Sequence, residues 1–233
     1  YSPIHNEHSL CSPKNYSSNW KYLMLTISTL NRSEALRYMG AKALNPDKMT
    51  SDIMDEVENE LLKVCRPAYT FTEIPKDSPA LGGNDIKKVV AESEKVLLIA
   101  ATLGIYVEKL LRKTQITDMA KAVVVDSMAS VAIEQFMDKI EDELKERYKG
   151  LYFTNRFSPG YGDYPLEKQR EVVKILNTEK KLGLSLTDSL LLNPTKSVTA
   201  VIGLNKNEVK GKINCTSKCM KCGNKNCPYR REN

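Results

Sequence analysis

The feature that most limits the fold of this sequence is one long helical pattern from about Thr117 to Tyr148. Apolar residues recur there every three to five positions, so a helix places them along one stripe. The residues predicted to face the core are Met128, Val131, Phe136, Ile140 and Leu144. A helix with such a stripe must bury it, and we expect this helix to lie at the centre of the domain.

Shorter patterns before and after this helix predict both helices and strands. Predicted helices cover residues 50–65, with Thr50 as the candidate N-cap, and 84–94, capped from Asn84. Predicted strands are the alternating run 68–74, the apolar run 95–104 and the segment 197–204. The sequence shows no internal repeat, and the mixture of elements predicts an α+β domain.

The segment RFSPGYGDYP (156–165) combines one guanidinium, one carboxylate, two glycines, two prolines and three aromatic rings. Proline restricts φ and glycine permits positive φ, so the backbone is predicted to be bent and stiff. Arg156 offers a planar fork of donors that suits a carboxylate or phosphate. These features favour a small polar ligand with a flat ring. The alternative is a turn in which Arg156 pairs with a surface acid.

Five segments that occur in order carry a resemblance to a known family. They are NRSEALRYMG (31–40), LLIAATLG (97–104), SMASVAIEQFMDKIEDEL (127–144), RFSPGYGDYP, and the residues that continue from it to Leu204. Together they resemble the reactivation (activation) domain of cobalamin-dependent methionine synthase, in the form that occurs as a separate polypeptide. The resemblance implies a curved antiparallel sheet packed with helices.

It also implies a helper function, in which the domain binds S-adenosylmethionine and presses against the cobalamin-binding domain of methionine synthase. Cobalamin in the inactive Co(II) state is then reduced by an electron donor and remethylated. In this interpretation Arg156 binds the methionine carboxylate, Glu134 an amino or ribose group, and Tyr161 packs on the ring, while Ser158 contacts ligand through its backbone. The residues implied to bind the ligand are Glu134, Arg156, Phe157, Ser158, Gly160 and Tyr161. Without the resemblance, Glu134 lies off the apolar stripe and would be a solvated helix residue.

Two departures from the family bear on ligand binding. Fused members have an aspartate where this chain has Asn31, and an amide supplies no charge for an ammonium or sulfonium group. They also continue past the last strand with a further ligand-contacting tyrosine, whereas this chain enters a tail rich in lysine and cysteine. We therefore expect a low affinity for S-adenosylmethionine until the partner docks.

The tail contains the pattern C-x3-C-x2-C-x4-C, formed by Cys215, Cys219, Cys222 and Cys227. Such a density of cysteines in a short polar segment is typical of a metal–thiolate site. Three interpretations stay open: structural zinc, an iron–sulfur cluster, or no metal, with disulfides or free thiols. Cys11 and Cys65 stand apart from this group, and we expect no special role for them.

Charge separates the tail from the rest of the chain. The formal net charge is +6, and residues 206–233, with eight basic and two acidic residues, account for all of it. Such a tail suits a flavin-type electron donor, an acidic protein or nucleic acid, although aromatic residues are nearly absent from it. Metal-bound thiolates would also neutralise part of the excess. A metal-knuckle nucleic-acid-binding module, and an activator of another corrinoid protein, are the rival hypotheses.

The predicted organisation is an extension over 1–20, an activation-like domain over 21–205 and the basic cysteine-rich tail over 206–233. No run reaches the roughly 18–20 apolar residues of a membrane span. Thiols without a secretory pattern predict a reducing cytoplasm. The sequence contains no P-loop, dinucleotide fingerprint or nucleophile elbow, so we expect no self-contained catalyst.

Overall fold

A computed structural model describes residues 27–40 and 45–208 of the chain. Within these ranges the helices are α1 (Arg32–Tyr38), α2 (Lys48–Val64), α3 (Asn84–Val90), α4 (Ile105–Thr117), α5 (Met119–Arg147), α6 (Gln169–Leu176) and α7 (Thr178–Leu182). The strands are β1 (Ala68–Ile74), β2 (Lys95–Thr102), β3 (Tyr152–Phe153), β4 (Ser185–Leu186), β5 (Leu192–Asn193) and β6 (Ser197–Asn205). The predicted α+β class is confirmed.

The main sheet has four antiparallel strands in the order β1-β2-β6-β3. In the central pair, Lys95 lies opposite Leu204 and Thr102 opposite Ser197. The two short strands β4 and β5 form a separate antiparallel pair. The strand β3 therefore forms one edge of the main sheet, and the chain that follows it continues along β6.

Helices cover both faces of this sheet. On β2, Leu97, Ile99 and Ala101 pack into one core cluster with residues of α1, α2, α4 and α5. The alternate residues Val96, Leu98 and Ala100 pack into a second cluster with α3 and α6. Side chains alternate between the faces of a strand, so a strand buried on both faces has a continuous apolar sequence. This explains the apolar run that predicted a buried strand.

The helix α5 confirms the main prediction from the sequence. The N-cap residue of this helix is Asp118, whose carboxylate accepts a hydrogen bond from the backbone N–H of Lys121. All five residues predicted for the core stripe are buried: Met128, Val131, Phe136, Ile140 and Leu144. Glu134 is exposed, as its position off the stripe predicts. The helix thus buries one face and keeps another available for polar contacts.

Two predicted caps were wrong. The helix α2 begins at Lys48, and its cap is Asp47, whose carboxylate accepts from the N–H of Thr50 at 2.7 Å. The helix α3 begins at Asn84, but Gly83 is its N-cap residue and no cap bond comes from its own side chains. This helix also ends at Val90, before the predicted end.

Among residues 27–40 and 45–208, no helix is both long and apolar enough to cross a membrane.

Candidate functional site

The segment 156–165 lies at the β3 edge of the sheet and is fixed to β6 by its backbone. The N–H of Phe157 donates to Val201 O at 3.0 Å, and the N–H of Val201 donates to Phe157 O at 2.8 Å. The hydroxyl of Ser158 donates to the backbone oxygen of Thr199 at 2.6 Å. These hydrogen bonds hold the start of the segment as an extension of the sheet.

After Ser158 the chain turns tightly. The N–H of Tyr161 donates to Ser158 O, and the N–H of Gly160 donates to Tyr164 O at 2.8 Å. Gly160 has φ +92°, a conformation that side-chain-bearing residues rarely adopt. Tyr161 stands at the tip with 68% of its surface exposed. The turn thus presents one aromatic ring to solvent beside a closely hydrogen-bonded backbone.

The end of the segment is hydrogen-bonded to the first turn of α3. The carboxylate of Asp163 accepts from the N–H groups of Asn84 and Asp85 at 2.7 and 2.9 Å, capping α3 from a distant part of the chain. These backbone hydrogen bonds hold the pKa of Asp163 below its ordinary value. Gly83, with φ +85°, lies so close to the backbone oxygen of Asp163 that a Cβ atom would collide with it.

Tyr164 supplies a second lock in the same place. Its side chain is buried, its ring stacks on Phe157 with centroids 6.1 Å apart, and its hydroxyl donates to Ala80 O at 2.7 Å. Burial raises the pKa of the Tyr164 phenol above its ordinary value, so it stays a donor across neutral pH. The ring of Phe157 consequently faces the α3–α6 side of the sheet.

Arg156 points the other way, onto α5. Its NH2 lies 2.9 Å from Asp138 Oδ1 and 3.3 Å from Glu134 Oε2, and its Nε lies 3.0 Å from Glu141 Oε1. Residues four and seven positions after Glu134 share its side of a helix, which is why one guanidinium reaches all three acids. The alternative predicted from sequence, a contact between Arg156 and surface acids, is therefore present, and one of these acids is the predicted Glu134.

The third nitrogen of this guanidinium stands apart. NH1 of Arg156 is buried and has no hydrogen-bond partner among the described residues. A buried donor without an acceptor costs about 1–3 kcal/mol, and more when it is charged. A ligand carboxylate bound at the NH1–NH2 end would supply the missing acceptor after a shift of the side chain. An anionic head group at Arg156 would therefore have to compete with the three acids for this guanidinium.

The predicted ligand residues thus divide by position. Glu134 and Arg156 are in contact, the backbone of Ser158 and Gly160 lies in the adjoining turn, and Tyr161 is exposed at its tip. The ring of Phe157 lies on the opposite side of the sheet edge from the guanidinium. The contact of Phe157 with β6 is made by its backbone, which pairs with Val201.

Asn31 lies beside the same stretch of α5. Its N–H donates to Gln135 Oε1 at 2.9 Å, next in sequence to Glu134. Its own Oδ1 accepts from the Ser33 hydroxyl and from the N–H of Glu34, which caps α1. The amide oxygen is therefore already used twice within the protein, and Asn31 brings no negative charge to the neighbourhood of Glu134.

Three residues at this site were not predicted. Asp138 and Glu141 could have been found from their spacing, since both follow Glu134 at helical intervals on the same face. Asp163 lay within the singled-out segment, but its partners Asn84 and Asp85 are almost eighty residues earlier. No local pattern indicates such a contact.

The loop before β6 is fixed by a buried acid. Glu108, with a side chain only 8% exposed, accepts from the N–H and the hydroxyl of Thr195 at 3.0 and 2.6 Å and pairs with Arg112. Burial raises the pKa of Glu108, but these hydrogen bonds outweigh it and leave the pKa below its ordinary value. Lys196 then reaches α5, where it contacts Asp126 and Ser130.

The predicted metal ligands Cys215, Cys219, Cys222 and Cys227 lie outside the described residues. Within the described part of the chain, no group of three or more histidine, cysteine, aspartate or glutamate residues is arranged to hold a metal ion. Cys65 is buried in the core and is in no disulfide among the described residues.

Comparison with solved structures returns, among others, a crystal structure of the MetH reactivation domain bound to AdoHcy. The two share 16% sequence identity with a TM-score of 0.49, over 67% of this chain and 63% of that one. This chain therefore aligns with less than two thirds of that structure. Comparison with curated proteins gives no match.

The sequence model of one family matches residues 87–213. Its description is vitamin B12 dependent methionine synthase, activation domain. The matched region contains Glu134, Asp138, Glu141 and the whole segment 156–165, and it ends just before the first cysteine of the tail. Because the match covers more than half of the sequence, the chain belongs to the family of vitamin B12 dependent methionine synthase activation domains.

Proposed function

We propose that this chain binds S-adenosylmethionine beside Arg156 and supports the reductive methylation of cobalamin carried by a cobalamin-binding partner of methionine synthase. Family membership supports the general role. The observation that carries the binding site is the Arg156 guanidinium, which contacts Glu134 while its NH1 is buried without a partner. A head group with one carboxylate and one ammonium would match these two residues.

The lengths of the three ion pairs suggest how the head group enters. Of the contacts to Arg156, the one to Glu134 is the longest, at 3.3 Å. A ligand carboxylate that takes NH1 and NH2 by two hydrogen bonds would replace both acids at NH2, and Glu134 would leave first because its contact is longer than that of Asp138. The released Glu134 carboxylate then faces the ligand ammonium. Both charges of the amino-acid end are thus neutralised.

Local charge also favours this ligand. One guanidinium and the carboxylates of Glu134, Asp138 and Glu141 give the cluster a net charge of −2. S-adenosylmethionine carries a positive sulfonium in addition to its zwitterionic end, so it is attracted to a negative surface. Asp138 and Glu141 thereby supply negative charge that Asn31 does not. The exposed ring of Tyr161 is available to stack on the adenine.

Cobalamin held by the partner would supply the chemistry at cobalt, which is methyl transfer from the sulfonium after a one-electron reduction. The contribution of this chain is to orient the donor. Arg156 and Glu134 fix the amino-acid end, and the backbone of Ser158 and Gly160 defines the adjoining wall. The locks at Asp163 and Tyr164 keep that wall rigid, so little ordering is needed when the ligand binds.

Calorimetric titration tests the site directly. S-adenosylmethionine is titrated into the parent protein, into Arg156→Ala and into the control Arg170→Ala. Arg170 is an exposed arginine on α6, so its loss removes a guanidinium from the opposite helical layer. We expect binding to the parent and to Arg170→Ala, and loss of binding in Arg156→Ala. Equal binding by all three proteins would place the ligand elsewhere.

We further propose a metal-binding role for the tail cysteines, with zinc or an iron–sulfur cluster as the bound species. We place the protein in a reducing cytoplasm, since thiolate sites persist under reducing conditions. The electron donor in this proposal is a flavin-type protein. Replacement of Cys219 and Cys222 by serine is expected to remove the metal, as measured by elemental analysis of the purified protein. The same metal content in the parent and the double variant would reject the site.

A further inference from the structure

We propose that Glu141 is a positioning residue that aims the guanidinium of Arg156 toward the ligand. The proposal rests on the function proposed above and assigns a role within the same site. Glu141 does not contact the ligand in this scheme. It acts by holding Nε, the nitrogen at the base of the guanidinium, and so it determines where the NH1 and NH2 nitrogens point.

The three acids around Arg156 differ in burial and in the nitrogen they contact. The side chain of Glu141 is 15% exposed, whereas those of Glu134 and Asp138 are 48% and 67% exposed. Only Glu141 contacts Nε; the other two share NH2. The well-shielded contact is therefore the one at the base of the guanidinium.

This difference separates the roles of the acids. Ion pairs between exposed side chains contribute little and exchange readily with water, so Asp138 constrains Arg156 weakly. The shielded carboxylate of Glu141, 3.0 Å from Nε, restrains the base of the guanidinium more strongly, because water competes less with a buried ion pair. With Glu141 beside Nε, the opposite NH1–NH2 end is where a ligand carboxylate would bind, in place of the exposed acids that now contact NH2.

The backbone supports the same assignment. Glu141 follows the fully buried Ile140 on α5, so its Cα is fixed by core packing. Arg156 is held by the adjacent backbone bridge between Phe157 and Val201. A contact between two rigid elements orients a side chain more precisely than a contact made on a mobile loop.

Substitutions at two neighbouring acids of α5, Glu141 and Asp142, separate orientation from charge. Glu141→Ala removes both the charge and the acceptor at Nε, while Glu141→Gln removes the charge and keeps an acceptor oxygen. Asp142→Ala is the matched control, because it removes an exposed carboxylate of the same helix that pairs with Lys145. Dissociation constants for S-adenosylmethionine are measured by calorimetry, and thermal unfolding is followed to confirm that each variant folds.

We expect Glu141→Ala to weaken binding about tenfold, because the base of the guanidinium then loses its shielded ion pair and the group reorients. Glu141→Gln and Asp142→Ala are expected to stay within about threefold of the parent. A general electrostatic role predicts instead that all three variants weaken binding equally, and that result would overturn the proposal. So would a dissociation constant in Glu141→Ala equal to that of the parent.

A second measurement needs no ligand and separates this proposal from the proposed function. The Nε–H resonance of Arg156 in a ¹⁵N correlation spectrum reports the contact with Glu141 through its protection from exchange with water. We expect protection in the parent, Glu141→Gln and Asp142→Ala, and its loss in Glu141→Ala. Should the parent fail to bind S-adenosylmethionine, the proposed function fails, and protection that persists in Glu141→Ala would separately overturn the positioning role.

Discussion

Tyr164→Phe removes one hydroxyl from the inner end of the 156–165 segment and leaves its ring in place. In the parent this hydroxyl donates to the backbone oxygen of the buried Ala80 at 2.7 Å. The variant keeps the stack on Phe157 but leaves the buried carbonyl without this donor. Loss of one partner in a buried pair costs about 1–3 kcal/mol, and we expect a decrease of this size in the free energy of unfolding.

The assay is urea denaturation of the parent and the variant, with Tyr161→Phe as the matched control. Tyr161 lies three residues earlier in the same turn, but 68% of its surface is exposed. Substitution of an exposed side chain without special contacts is expected to stay within about 0.5 kcal/mol of the parent. The urea midpoint should fall in Tyr164→Phe. The slope of the transition should not change, because the variant exposes nearly the same surface area on unfolding as the parent.

Thermal unfolding gives an independent value for the same variant. For a chain of this size each kcal/mol of lost stability lowers the melting temperature by about 2–4 °C. Equal midpoints for Tyr164→Phe and Tyr161→Phe would refute the reasoning, because the hydroxyl of Tyr164 would then contribute nothing to holding the segment against Ala80.

Three further predictions concern backbone strain and pH. Gly83→Ala should destabilise the protein by about 1–3 kcal/mol more than Gly150→Ala, as measured by urea denaturation of both variants. Both glycines have positive φ, but of the two only Gly83 would bring its Cβ against backbone atoms. The low pKa of Glu108 means that its stabilising effect is present above the ordinary pKa of 4.5 and is lost as pH falls below it, so Glu108→Gln should flatten the acid limb of a stability–pH curve. Burial and the hydrogen bond to Glu73 raise the pKa of Tyr148 to about 12; the parent should lose stability between pH 10 and 12, and Tyr148→Phe should lose less. A parallel course of parent and variant with pH would contradict either of the last two.

The parts of the fold that the sequence predicted are those with strong local patterns. The strand at Lys95 is buried on both faces and therefore has an unbroken apolar run, and α5 shows a stripe of buried residues along its length. The helix α4 was not predicted as a separate helix, although it ends at Thr117, where the long helix was expected to start. One residue of non-helical backbone at Asp118 separates the two helices, and a pattern of apolar residues does not reveal so short an interruption.

The site was predictable to the extent that its residues lie in one segment or on one helix. Arg156 and Glu134 were proposed from the family resemblance, and the structure brings them into contact. The cap that Asp163 provides to α3 joins residues far apart in the sequence, so it depends on the folded arrangement. The burial of one guanidinium nitrogen likewise depends on packing across the sheet edge, and no sequence pattern records it.

The measurement that tests the proposed function most directly is transfer of a labelled methyl group. S-adenosylmethionine with a radioactive methyl group is mixed with the Co(II) form of a cobalamin-binding domain of methionine synthase and a one-electron reductant, and label on the cobalamin is counted. We expect label with the parent protein and with Arg170→Ala, and background label with Arg156→Ala. Equal labelling by Arg156→Ala, or without the protein, would contradict it.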